Sequence, residues 1–176
     1  MRNPIRVVFM LLALAAANTV LAQQVIVFSV EGWTLGKGAA NSFQWAVTAP
    51  APAAMGSGGG GAGKVSVQDS VLLIPIGDAA VHFAQTAMRG EHLRSVLVEF
   101  PLTRGPQGGP APFAIRLTEV LVTSVGLSKS GDGGSGVAEI KLNAARVELF
   151  SSQQDSKGQA AASSKAGFDT KANKPF

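Results

Sequence analysis

Cysteine and tyrosine are absent from the 176-residue chain, and histidine occurs only as His82 and His92. The lack of Cys excludes a disulfide framework, Cys-based zinc sites, iron–sulfur clusters and a thiol nucleophile together. Two imidazoles cannot build a three-His metal site, and they leave few candidates for a catalytic base. Charge is also sparse, 15% of residues against 46% hydrophobic, so the chain can bury a core and is not disordered by composition. The length bounds it to one domain, or one domain with tails.

Basic residues outnumber acidic ones 15 to 11, but part of that excess sits in the first 22 residues. Arg2 and Arg6 precede the apolar run Val7 to Ala17, and Val20-Leu21-Ala22 offers a small-residue cleavage site before Gln23. This order is that of a secretory signal peptide, with an apolar run too short for a resident membrane helix. Cleavage leaves 13 basic and 11 acidic residues in 23–176, a balance that carries no nucleic-acid footprint. The expected product is an exported protein, periplasmic or extracellular, with no stable membrane insertion after cleavage.

Short apolar or alternating segments separated by Gly, Pro and Ser clusters fill the rest, the pattern of an all-β domain. Val25 to Val30 reads as a strand buried on both faces, closed by Gly32 and Gly36. Ser42 to Thr48 alternates with Phe43, Trp45 and Val47 on one face. Residues 49–64 carry two prolines and a glycine run, and they read as a long loop. Val65 to Ile76 resumes as a strand with Val65, Val67, Val71 and Leu73 sharing a face and a polar gap at Asp69. A helix is expected from Ala79 to Met88, capped by Asp78, stopped by Gly90, and facing inward through Val81, Ala84 and Met88. Ser95 to Phe100 alternates inward through Val96, Val98 and Phe100, and Pro101 ends it. Gly105 to Pro112 reads as a turn or loop.

Two later strands change parity along their length. Phe113, Ile115 and Leu117 share one face, while Val120 and Val122 fall on the other, so that either one strand bends or two strands meet near Glu119. Ile140, Leu142 and Ala144 are followed by Ala145, Val147 and Leu149 on the opposite parity, as a bulge near Ala144 and Ala145 would produce. Bulges curve sheets, so a mostly antiparallel sheet of about seven or eight strands points to a compact barrel or sandwich. Ser151 to Gly167, rich in Ser, Ala, Gln, Lys and Gly, reads as a surface loop.

Motifs for chemistry are weak. Gly58 to Lys64 matches the phosphate-binding loop pattern until Val65 stands where Ser or Thr must ligate magnesium, and the segment opens a strand rather than a helix. His82 and His92 share no metal-ligand spacing on one element. Asp69 reads either as a catalytic carboxylate or, more commonly for such a position, as a polar residue bonded to backbone amides. There is no nucleophile-elbow pattern and no Tyr acid, so no enzyme, cofactor or metal is expected. Trp45, alternating with Phe43 and Val47, reads as core. Trp33, beside Gly32, is open between core and a stacking surface.

The order of segments resembles the Hcp (haemolysin-coregulated protein) family of type VI secretion tube proteins. The resemblance rests on GSGGGGAGKVSVQD at 56–69, MRGEH at 88–92, FAIRLTEVLVTSV at 113–125, VAEIKLNAARVELF at 137–150 and the closing GFDTKANKPF. It covers nearly all of 56–176, with a weaker match from Val25 to Trp45.

The resemblance implies a mainly β, compact barrel of mostly antiparallel strands with one short flanking helix. It also implies a non-catalytic protein that forms hexameric rings, stacks them into a tube and can carry small effector proteins, with sheath and spike components as further partners. Gly58, Gly59, Gly60, Gly61, Gly63 and Lys64 would then contact a neighbouring subunit or ring, together with strand edges and the bent 113–125 segment. The competing reading is an exported binding module that kept the barrel and lost tube assembly.

Overall fold

The computed structural model describes residues 26–49, 64–101, 111–131, 133–154 and 160–176. Their elements run β1 (Ile26–Val30), β2 (Lys37–Ala40), β3 (Ser42–Gln44), β4 (Val47–Thr48), β5 (Ser66–Val67), β6 (Ser70–Pro75), α1 (Asp78–Arg89), β7 (His92–Phe100), β8 (Phe113–Ser128), β9 (Val137–Gln154), β10 (Ala160–Asp169) and β11 (Lys174–Pro175). Every strand pairing is antiparallel. The signal segment 1–22 and residues 105–110 of the turn or loop expected at 105–112 lie outside the described residues.

The barrel closes because one strand changes partners along its length. β1 pairs with β7 on one side and β2 on the other. At the end of β2 the Asn41 amide donates to the Leu73 carbonyl at 2.8 Å, and the chain continues as β3 against β6. β6 pairs with β9, β9 with β8, and β8 with β7, which completes the ring of strands. β9 is long enough to use one edge twice: 137–142 face β6 and 146–154 face β10.

Inside lie Phe28, Leu72, Ile74, Phe83, Val96, Val98, Leu117, Val120, Ile140 and Leu142, all buried. α1 seals the barrel through Ala80, Phe83 and Thr86, spaced by three so that they share a helix face. The Phe83 ring lies 5.9 Å from Phe28 and 4.7 Å from Trp33, which packs partly buried against the core. Gly90 ends the helix at φ +64°, its amide bonded to Ala87 and that of Glu91 to Thr86. This left-handed stop suits glycine.

Several elements differ from the sequence reading. α1 faces inward through Ala80, Phe83 and Thr86, leaving Val81 54% and Met88 86% exposed, because the stripe built on the large Phe83 wins the barrel. Asp78 is the first helical residue rather than its cap; Gly77 stands at the cap position and makes no side-chain bond. The single strand expected over 65–76 is divided into β5 and β6, and β6 buries Ser70, Leu72 and Ile74 rather than Val71 and Leu73. Both faces of β6 are apolar, so alternation alone could not choose between them. Likewise 42–48 is split into β3 and β4, and β1 buries one face, through Phe28 and Val30.

The loop expected over 151–167 contains the end of β9 and most of β10. Its side chains carry no β signal because the strand is held through its backbone ladder to β9, from Ser163↔Ser152 to Asp169↔Arg146. β2 was also illegible, since Lys37-Gly38-Ala39-Ala40 has no β-branched residue. Gly38 makes room there for the Phe28 ring, which a Cβ would overlap.

Candidate assembly interface

The Gly-rich segment is rooted on a two-stranded stem. Val47 pairs with Val67 and Thr48 with Ser66, so Ala49 and Lys64 stand on the two arms of one β4–β5 ladder. Gly58, Gly59, Gly60, Gly61 and Gly63 lie outside the described residues, whereas Lys64 is exposed at the stem. Strand β5, not a helix, follows Lys64, which is the wrong element for a phosphate-binding loop. The Gln68 amide donates to Ala46 at 3.1 Å and carries the stem onto the barrel. Beside it Trp45 packs partly buried against the core, with a buried indole N–H that has no acceptor among the described residues.

Asp69 locks the stem to the bent strands. Its carboxylate accepts from Thr123 Oγ1 at 2.7 Å and from Asn143 Nδ2 at 2.7 Å. Thr123 is the extra residue of a bulge, since Val122 faces Leu142 while Ser124 already faces Lys141. The polar gap in the sequence is therefore a clamp built from side chains, and among the described residues the hydrogen bonds of this carboxylate come from side chains rather than from backbone amides.

The parity changes have a different origin from the bulge expected at Ala144 and Ala145. Around that position the β8–β9 pairing keeps one offset, Thr118↔Arg146 and Val120↔Ala144, and the register shift lies at Thr123 instead. Burial switches parity on three strands at one level: Val96 to Leu93 on β7, Leu117 to Val120 on β8, and Val147 to Ala144 on β9. At that level Glu119 takes φ +52°, a left-handed conformation that L-residues adopt at some cost. The sheet turns a corner there.

The turn after β10 clasps this corner. The Thr170 amide donates to the Ala145 carbonyl at 2.9 Å, and its hydroxyl lies 2.9 Å from the carbonyls of both Ala144 and Ala145. Lys171 donates to Glu119 at 2.9 Å, and this bond and its charge hold the Glu119 carboxyl below its ordinary value. Asp169 is lowered by the Ala172 amide at 2.7 Å and then by Arg146 at 3.1 Å. Glu119, in the bent 113–125 segment, is thus tied to the turn after β10.

The two histidines do not meet. His82 lies on α1 with its ring 5.3 Å from Trp33, and exposed His92 opens β7 opposite Leu121. Among the described residues no group of three His, Asp or Glu side chains could hold a metal ion. No helix among them is long and apolar enough to cross a membrane. What the sequence reading missed is a set of apolar side chains left in water: Val81, Met88, Leu35, Ile76 and Leu127, the last 63% exposed. Val81 and Met88 were visible as an i, i+7 pair, but the pattern could not say that they point outward.

Among curated proteins none matches the chain. The fold matches a solved type six secretion system protein at a TM-score of 0.74 and 18% identity, over 87% of this chain and 99% of that one. Hcp1 from Salmonella typhimurium matches at 0.66 and 21% identity, over 88% and 99%. A type VI secretion system effector from Yersinia pestis matches at 0.62 and 16%, over 82% and 98%. The family model described as "Type VI secretion system effector, Hcp" matches residues 36–151. The expected antiparallel barrel with one helix is the fold observed, and the chain belongs to the Hcp family of structural type VI secretion proteins.

Proposed function

We propose that the chain is an exported, non-enzymatic ring subunit that forms hexamers, stacks them into a tube and carries small effector proteins. The observation that carries this reading is family membership across 36–151, the region that holds the stem, the clamp and most of the bent strands. Supporting it are the apolar side chains exposed on the isolated subunit, Met88, Leu127 and Val81 among them, which an assembly would cover. A heterologous contact that closes by rotation makes a ring.

Gly58, Gly59, Gly60, Gly61, Gly63 and Lys64 contact the neighbouring subunit or ring in this reading. The glycines adapt the backbone to the neighbour, at an ordering cost met on assembly. The leader at 1–22 delivers the subunit to the periplasm or beyond, and sheath or spike components complete the machine. Removing residues 57–62 leaves ample chain to connect Ala49 to Lys64 across the stem. Gel filtration of that variant is expected to show the same fold with a smaller assembled fraction. An unchanged fraction removes Gly58, Gly59, Gly60 and Gly61 from the interface.

A further inference from the structure

The outward face of β1, β7, β8 and β9, with Phe176 at its side, forms a cleft of about 580 Å³. It lies opposite the core: Ile115, Leu117 and Val147 point inward, so Arg116, Thr118, Arg146 and Glu148 between them point out. The ladder aligns Glu148, Arg116, Leu97 and Ser29 in one row and Asp169, Arg146, Thr118 and Ser95 in the next. Phe176 lies over Gly167, where a Cβ would come within 2.6 Å of the ring, and forms one wall.

Donors exceed free acceptors in this cleft. Glu148 is taken by Lys165 at 2.6 Å, and Arg116 reaches it only at 3.7 Å while stacking 5.0 Å from the Phe150 ring. Arg146 uses its Nε on Asp169, and its terminal nitrogens have no partner among the described residues. Arg94 spends one nitrogen on Glu31 at 3.0 Å. Three guanidinium forks therefore keep unused N–H groups, with the Ser29, Ser95 and Thr118 hydroxyls beside them.

Arg116 and Arg146 are diagonal neighbours on adjacent strands, a relation that spaces backbone positions about 7–8 Å apart. Alternate side chains of an extended peptide are about 6.6 Å apart, which is the matching repeat. Leu97, with the Phe176 ring, adds apolar lining of a kind that suits a peptide better than a sugar–phosphate chain. We infer that this cleft binds an extended acidic peptide segment of a partner protein, with carboxylates at alternate positions held by Arg116 and Arg146. The inference stands apart from ring assembly.

The test is fluorescence anisotropy on residues 23–176 with a labelled, capped Glu-Leu-Glu-Leu-Glu peptide and a Gln-for-Glu control. The glutamate peptide is expected to bind and the glutamine peptide to fail. Arg116→Gln and Arg146→Gln, each confirmed folded by circular dichroism, should weaken binding about tenfold, the scale of one charge-assisted bond. Arg116→Lys should fall between, since it keeps the charge and loses the fork. Lys129→Gln, an exposed cation outside the cleft, should change nothing. Equal binding of the two peptides, no binding at all, or an undiminished affinity in both Arg→Gln variants would overturn the assignment.

Discussion

β8 and β10 lie on opposite edges of the same strand, β9, yet they are written in different languages. β8 pairs with β9 from Phe113↔Ser151 to Ser128↔Val137 and packs Ile115, Leu117, Val120 and Val122 into the barrel. β10 makes a comparable backbone ladder with Ala, Ser, Lys and Gly, and exposes Ser163, Ser164, Lys165 and Ala166. A strand can be dictated by the side chains it buries or by the backbone edge it completes. Only the first kind leaves a periodicity in the sequence.

The comparison breaks first, and hardest, in the core. Leu117→Ala removes a fully buried side chain and is expected to cost about 2–5 kcal/mol in urea denaturation. Ser164→Thr on β10 marks the other extreme, within about 0.5 kcal/mol of the parent. A loss above 2 kcal/mol at Ser164 would mean that β10 is held by its side chains after all.

Next in size is the clamp. Asp69→Ala leaves Asn143 Nδ2 without its acceptor and Thr123 Oγ1 with only the Lys141 carbonyl at 3.3 Å, and because both donors are exposed it should cost about 1 kcal/mol. Asp69→Asn, keeping one acceptor, should cost less. The corner is sharpened by a pair of changes at Glu119, where φ is +52°. Glu119→Val should destabilise by about 1 kcal/mol or more, because a branched Cβ resists that conformation. Glu119→Gly should be better tolerated, since glycine adopts it freely.

The smallest expected effect is on pH dependence. Glu119 and Asp169 both titrate below their ordinary values of 4.5 and 3.8, each in the folded state only. For such depressed carboxylates the stabilisation is present above the unfolded pKa and disappears as pH falls through the folded one. Thermal melts should therefore weaken on acidification below about pH 4.5, and Asp169→Asn should flatten the lowest part of that curve. An identical slope in the variant would detach the clasp from acid stability.

Legibility followed the same division. The parity changes near Glu119 and Ala145 marked the level of the corner without saying whether a strand bends, ends or bulges there, because burying Leu117 and Val120 on one side of a curved sheet forces the switch into the sequence. Gly90 gave the helix stop through its left-handed backbone. The face of α1 was misread because Val81 and Met88 are as apolar as Ala80 and Phe83, and only tertiary packing decides which stripe meets the barrel. β2 and β10 were missed because backbone pairing needs no particular side chain. In the Arg116–Arg146 cleft, the members come from four separate strands, so no local spacing records their meeting.

The central claim is that this barrel is a ring subunit in its exported form. Light scattering on residues 23–176 across a concentration series tests it most directly. A stable species of six times the monomer mass is the expected result. A monomer at every concentration would contradict ring formation by the isolated protein, leave the fold intact, and favour an exported binding module.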